Sequence, residues 1–346
     1  MKKKSFLLII SIILLLTPAC SKGEDKENSN ESKSKISFKA GHSSPEGISI
    51  DKSIKEAAED LKENSDGRLS LEIYPAGQLG GDREQIEAIQ FGDQDIWKGA
   101  SSALVPFIGD FAVFDMPMIF GDYTHEEIQK VLSGEVGSFR EIMNKKAEEK
   151  GLVLISLSSN ETYRTMSTNV PIKTIDDFSQ VRIRTMENKY HIKFWEDVGA
   201  KPTPVNFSEL YVALQQGVVN SQENPVVGLV GSGQYEQQKY ITDTNHLLTI
   251  SCMVMNKGKY DALSDEDKKL INEFSNENVD LEYKYGKEEY DTMKKKAEDY
   301  GIEFIELDDN VKKQLKDRAK GTIDLVSSDV DKEVIDSLFA SLKEVN

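Results

Sequence analysis

From Ile36 onward, short apolar alternations trade places with stretches whose apolar residues recur every three or four positions. Ile36, Phe38 and Ala40 alternate with Ser37 and Lys39, which reads as a strand with one buried face. Ile50, Ile54, Ala57, Ala58 and Leu61 fall on one face of a helix, and Gly67 stops it. Leu69, Leu71 and Ile73 alternate again before Pro75-Ala76-Gly77 turns the chain. Ile86, Ala88 and Ile89 open another helical pattern, closed by Gly92. Further strand-like runs lie at Leu152–Leu157, Arg182–Thr185, Met253–Asn256 and Ile302–Ile305. Helical patterns separate them, and the longest spans about Asp265 to Tyr300. Strands alternating with helices make this an α/β chain. No repeat and no Pro/Ser linker interrupts residues 36–346, so two domains would have to join through ordinary strands and helices, as at a hinge.

Residues 2–20 follow another pattern. Lys2, Lys3 and Lys4 precede an apolar run from Phe6 to Leu16 that only Ser11 interrupts, and Thr17-Pro18-Ala19-Cys20 closes it. The run is shorter than the roughly 20 apolar residues of a spanning helix. It has the form of an export signal, expected to cover residues 1–19. Cys20 directly after a small residue resembles a bacterial lipobox, with Thr17 where Leu is preferred and the Leu one position early at Leu16. Lipidation of Cys20 is the expectation, with cleavage by ordinary signal peptidase the alternative. Residues 21–34 hold no large apolar side chain, so 20–34 reads as a lipidated cysteine on a flexible tether. The expected location is the outer face of the cytoplasmic membrane, on the periplasmic side if an outer membrane exists.

Composition narrows the function classes. In 346 residues, 60 acidic side chains face 43 basic ones for a net charge of −17, which argues against a nucleic-acid binder. Two cysteines cannot make a disulfide framework or a Cys-based zinc site, and Cys252, among Ile250, Met253 and Val254, reads as a small buried hydrophobe. There is no P-loop, G-x-S-x-G elbow, H-E-x-x-H or EF-hand loop. His42, His125, His191 and His246 lie far apart without a second ligand type at helical spacing, so surface or capping roles are expected for them. No cofactor or metal is expected, and nothing reads as an enzyme.

Arginine is scarce, which makes its placement informative. Of seven in the chain, Arg164, Arg182 and Arg184 fall within one short stretch. Alternation points Arg182 and Arg184 to one side of a strand and Val181 and Ile183 to the other. A guanidinium is planar, always charged and matched to a carboxylate by a two-bond fork. Surface pairing with some of the 60 carboxylates is the competing reading.

Three further segments surround these arginines: Tyr74-Pro75-Ala76-Gly77-Gln78-Leu79-Gly80, Val113-Phe114-Asp115-Met116-Pro117, and Gly199 to Val219 continuing through Gln222-Glu223-Asn224-Pro225. Together, over about residues 36–310, the chain resembles the extracytoplasmic solute receptors of TRAP (tripartite ATP-independent periplasmic) transporters, the DctP type. The resemblance implies a two-lobed periplasmic-binding-protein-like fold, type II-like, with hinge crossovers and long C-terminal helices. Lobe I is expected to take residues 35–160 and 250–288, and lobe II residues 161–249 and 289–346.

By the same resemblance, Arg184 forks a ligand carboxylate, Arg164 adds a second contact, Asn224 supplies an amide donor and Phe207 packs on the ligand. Local chemistry offers competing roles: Asn224 before Pro225 is a natural helix N-cap, and Phe207 could be core with Leu210 and Leu214. Arg182, Tyr163, Tyr211 and Trp97 are further ligand-contact candidates. The chain departs from the family pattern at Asn220-Ser221, where Asp-Gly is usual, and at Gln180, where Gly is usual. Ala100 stands where the sialic-acid-binding branch usually has Glu, which argues against that substrate. The implied partners are an organic acid, such as a C4-dicarboxylate or related acid, and the small and large TRAP membrane permease subunits, with the membrane reached through the N-terminal lipid. A surface lipoprotein with a sensory or adhesive role is the alternative, and an enzyme on this scaffold a more distant one.

Overall fold

The computed structural model describes residues 34–345; the expected export signal and Cys20 lie outside them. The alternating run at Ile36 forms β1 (Ile36–Gly41), and α1 (Ser49–Asn64), β2 (Leu69–Tyr74), α2 (Asp82–Phe91) and β3 (Ile96–Ala100) follow it. β2 and β3 lie parallel to β1 on its two sides. Next come α3 (His125–Ser133), α4 (Phe139–Glu148) and a long strand β4 (Leu152–Thr168). β5 (Arg182–Thr185), α5 (Lys189–Val198), β6 (Lys201–Pro204), α6 (Leu210–Gln215), β7 (Ser221–Asn224) and α7 (Val226–Gly231) build a second parallel set, closed by a second long strand, β8 (Tyr240–Asn256). The chain ends in α8 (Lys257–Asp261), α9 (Asp265–Tyr300), β9 (Glu303–Ile305), α10 (Asp309–Asp329) and α11 (Lys332–Val345).

One mixed sheet orders these strands β2-β1-β3-β8-β4-β7-β5-β6, with β9 beside the start of β8. The 17-residue strands β4 and β8 run antiparallel to each other and serve both halves of the sheet. The end of β8 pairs with β3, and the end of β4 pairs with β7. Along the β4–β8 pairing the register slips three times, the two widest between Ser159 and Tyr163 and between Arg164 and Met166. Glu161 and Asn245 both take left-handed backbone angles there, with φ of 59° and 40°. Bulges of this kind bend a strand and re-aim its side chains.

Separate apolar clusters fill the halves. Phe38, Ile54, Leu61, Met253 and Phe274 pack between the sheet and α1 and α9. Phe111, Phe114, Phe139, Leu152 and Val254 fill the opposite face of the same half. Met166, Phe178, Phe194, Trp195 and Leu315 fill the other half, where α10 packs on α5. Cys252 is a buried free thiol in the first of these halves. Ser264 caps the N-terminus of α9 by accepting from the Asp267 amide, and Gly301 ends the helix at φ 107°.

The C-terminus differs from the expected division. That division cuts the continuous helix α9 at residue 288 and places 289–346 in one lobe. Instead α11 turns back and buries Val334, Leu338 and Leu342 with Phe111 and Phe139. Its apolar residues recur at four-residue steps, a single stripe that needs a groove, and α3 and α4 supply it. Among the described residues, no helix is long and apolar enough to cross a membrane.

Candidate ligand-binding site

Where the two halves meet, a cavity of about 900 Å³, its open mouth included, is lined by Ser43, Asp82 and Ala100 from one side. Arg164, Arg184, Phe207 and Asn224 line it from the other. β5 carries Arg184 into this space, where the residue is only 3% exposed. Its Nε donates to the Val205 carbonyl at 2.7 Å, and its guanidinium lies 5.8 Å from the centre of the Phe207 ring. Beyond that bond, Arg184 has no hydrogen bond or ion pair among the described residues. Burial pushes its pKa down to about 10, against the pull of Glu223 and with a push from Arg164, so it stays charged at neutral pH. A buried cation with both Nη groups uncommitted is costly unless an anion meets it.

Behind Arg184 lies a chain of buried charge. Arg164 on β4 makes a fork with the Glu223 carboxylate, and its Nη2 also donates to the Glu223 carbonyl at 2.9 Å and to Asn224 Oδ1 at 3.1 Å. Antiparallel pairing of β4 with β7, with Thr165 opposite Asn224, sets these groups side by side. His191 Nδ1 lies 3.3 Å from Glu223 Oε1, and its Nε2 lies 3.1 Å from Asp115 Oδ1. Asp115 also accepts from Ser102 Oγ and from Asn188 Nδ2. His246 Nε2 lies 3.2 Å from Glu223 Oε2, and its Nδ1 lies 2.9 Å from Thr244 Oγ1. Asn224 Nδ2 donates to Gln222 Oε1 at 2.6 Å, which fixes the amide's orientation.

The two histidines titrate in opposite directions. Burial lowers both, but Asp115 and Glu223 together push His191 up to about 9. For His246 burial wins, and its pKa falls below the ordinary value. Burial would raise the Glu223 carboxyl, yet Arg164 and the histidines outweigh it and hold it well below the usual carboxylate range. Because the folded value of His191 lies above 6.5, its charge stabilises the fold fully below about pH 6.5 and ceases to as pH rises toward 9. Wild type should lose on the order of 3 kcal/mol more than His191→Gln between about pH 6 and pH 9.5, read from urea midpoints at matched slope. Parallel pH profiles for the two proteins would contradict this assignment.

The family model described as "Bacterial extracellular solute-binding protein, family 7" (DctP) matches residues 40–328. The chain belongs to this family. It is 33% identical over 252 residues to the C4-dicarboxylate-binding periplasmic protein DctP of Rhodobacter capsulatus, covering 72% of this chain and 74% of that protein. A TRAP periplasmic solute-binding protein from Polaromonas sp. JS666, solved bound to D-erythronate, is 26% identical with a TM-score of 0.81, covering 89% of this chain and 99% of that one. Another from Desulfovibrio salexigens, solved with bound orotic acid, has a TM-score of 0.85 at 22% identity, covering 90% and 100%. This family 7 chain therefore has the two-lobed periplasmic-binding fold, and its family is one of extracytoplasmic solute receptors, not an enzyme class.

Within this family 7 protein, Arg184, Arg164, Asn224 and Phe207 come together at one cavity. The other four candidates do not line it. Arg182 shares Arg184's parity but sits at the exposed end of β5, where its Nη2 donates to the Gly217 carbonyl at 3.0 Å, so it covers the end of α6. Tyr163 points its hydroxyl toward the Phe120 carbonyl, at 3.4 Å. Tyr211 donates to Glu236 at 3.0 Å on the surface. Trp97 is buried behind Gly99 and donates to Asp82 Oδ1 at 3.2 Å, so it supports the cavity wall from behind. The two departures from the family pattern meet each other: Asn220 Nδ2 donates to the Gln180 carbonyl at 3.3 Å.

Two local expectations are corrected. Pro225, not Asn224, takes the N-cap position of α7, because the extended β7 ladder continues through Asn224. His42, His191 and His246 are buried rather than at the surface, since each faces a buried carboxylate: Asp51, Asp115 with Glu223, and Glu223 respectively. Asp82, Asp115, Glu223, His191 and His246 are the site residues that sequence reasoning passed over. Asp115 and Glu223 stood inside the Val113–Pro117 and Gln222–Pro225 motifs, and that was the available signal. Among the described residues, no cluster of His, Cys, Asp and Glu could hold a metal ion.

Proposed function

We propose that this protein is the receptor subunit of a TRAP transporter, capturing an organic acid by closure of its two lobes and delivering it to a permease of small and large subunits. The observation that carries this reading is Arg184, a buried cation with no carboxylate partner among the described residues, beside Asn224 and Phe207 in the cavity. The ligand carboxylate takes the uncommitted edge of Arg184, and Arg164 with Asn224 flanks it. The lobes move about the bulged middle of β4 and β8. Closure expels water and strengthens the ion pair by lowering the effective dielectric. Lipidated Cys20 holds the protein at the outer face of the cytoplasmic membrane, within reach of the permease.

The name of the Rhodobacter capsulatus relative and the acid bound by the Polaromonas protein support an organic acid as ligand. A thermal-shift screen over organic acids tests the reading. A ligand at about 100 times its Kd should stabilise the protein by about 2.7 kcal/mol, and deleting the gene should abolish uptake of the same acid. A screen in which no organic acid moves the melting temperature would remove the reading.

A further inference from the structure

The two halves touch beside the cavity, and at two of the contacts a glycine of one half faces a side chain of the other. Gly81 is the N-cap of α2, next to Asp82 and Arg83 at the adjoining mouth, and it is buried. Its φ of −71° and ψ of 177° suit any residue, and Ser, Thr, Asp or Asn would cap the helix better. Neither backbone nor cap calls for glycine, but the opposite half does. A Cβ here would lie 2.0 Å from Asn206 Nδ2 and 2.8 Å from its Cγ. Asn206 can swing aside only by giving up the Ser208 amide at 3.3 Å and Ser208 Oγ at 3.2 Å, at the turn that carries Phe207 to the cavity. Gly231 repeats the arrangement with the halves exchanged. It is the last residue of α7, its φ is not left-handed, and alanine is the better helix former there. A Cβ at Gly231 would lie 2.7 Å from Cγ2 of Ile48, a buried residue that lines the cavity from the other half. An ion pair also spans the mouth, Arg83 with Glu187 at 3.3 Å, but both side chains are about half exposed, so solvent screens it and it contributes little. The demanding contacts are steric.

Taking the receptor reading as given, we infer that Gly81 and Gly231 are positioning residues for closure, whose missing side chains admit the opposite lobe and so set how firmly the cargo is held. Neither lines the cavity, so neither acts by touching the ligand. Glycine serves here for close approach of the backbone rather than for conformational freedom. A side chain added at either place penalises the closed arrangement alone, because the clash exists only where the lobes meet. As the closed fraction falls, the apparent Kd rises in proportion. Capture begins on the open cleft and is spared, so the loss falls on release. A residue of merely structural value would lose stability and affinity together. These two should separate them.

D-erythronate, succinate, D-galactonate and orotate are titrated into wild type, and the tightest binder is the probe. Gly81→Ser supplies a preferred cap and Gly231→Ala a better helix former, so each unliganded variant should melt at or above wild type. In calorimetry each should nevertheless bind the probe about tenfold or more weakly, and stopped-flow should place the change in the dissociation rate. Adding Asn206→Gly to Gly81→Ser removes the obstructing side chain and should recover most of the lost affinity. Arg83→Ala, which cuts only the exposed ion pair, should lose less affinity than either glycine variant. Unchanged affinity in either glycine variant overturns the inference and leaves the receptor reading standing, as does a double variant that binds no better than Gly81→Ser. Affinity and unliganded melting temperature falling together would make the glycines structural and overturn it too. A larger loss in Arg83→Ala would place the closure energy in the ion pair, with the same result. If none of the four acids binds wild type, the receptor reading falls and the closure inference with it.

Discussion

Arg184→Ala should bind its organic acid roughly 30- to several-thousand-fold more weakly than wild type, a loss of about 2–5 kcal/mol. The magnitude follows from burial. The Arg184 head group is out of water, has one backbone acceptor at Val205 and has no carboxylate in hydrogen-bond or ion-pair contact among the described residues. Ligand binding therefore both makes a charge-assisted fork and relieves an unpaired cation. The same geometry predicts an unusual stability result. Without ligand, Arg184→Ala should melt within a few degrees of wild type or above it, because it removes a buried charge that the empty site leaves unmatched. Arg184→Lys keeps the charge without the fork and should fall between the two in affinity. Calorimetry with the best-binding acid, paired with thermal melts of the unliganded proteins, reads both quantities. Unchanged affinity in Arg184→Ala would remove the clamp from the mechanism.

Glu223→Gln should have its largest effect on the fold itself. Glu223 is wholly buried and touches Arg164, His191 and His246. The amide keeps the shape but leaves Arg164 without its carboxylate and charged His191 with Asp115 alone. Breaking one partner of such a buried set costs about 3–5 kcal/mol, equivalent to roughly 10 °C in melting temperature for a domain of this size. Binding should weaken as well, since Glu223 holds Arg164, which itself donates to Asn224 Oδ1. Urea unfolding with matched slopes measures the loss, and a midpoint equal to wild type would show that the network is energetically idle.

The pattern of apolar positions located most strands and helices, but it stopped short where the chain passes the cavity. The reading ended one strand at Leu157, whereas β4 continues to Thr168. Ser158, Ser159 and Asn160 are buried although polar, because they lie at the seam between the halves. Hydropathy cannot register that kind of burial. The four cavity residues were legible because arginine is scarce here and the surrounding segments resemble a known family. Arg182 shows the limit of parity: alternation reports the side of a strand, not the depth along it. The histidine network was hidden by distance in the chain. His191 meets Asp115 and Glu223 across 76 and 32 positions, and His246 meets Glu223 across 23, so no local spacing rule could have found them.

Helix α9 gives the fold a mechanical property. It is unbroken through 36 residues, a rod of roughly 54 Å at 1.5 Å per residue, lying on α1 and β4 along part of its length and on α7 along another. Bulged strands can swing, but a continuous helix bends gently unless something interrupts its hydrogen bonds. Any separation of the halves must then flex α9 like a leaf spring, with a restoring force that grows with the opening angle. Its single glycine, Gly286, lines the cavity beside Asn160, so the softest point of the spring sits against the bulged segment of β4. The stiffness of this one helix would set how wide the cleft opens and how fast it releases its cargo.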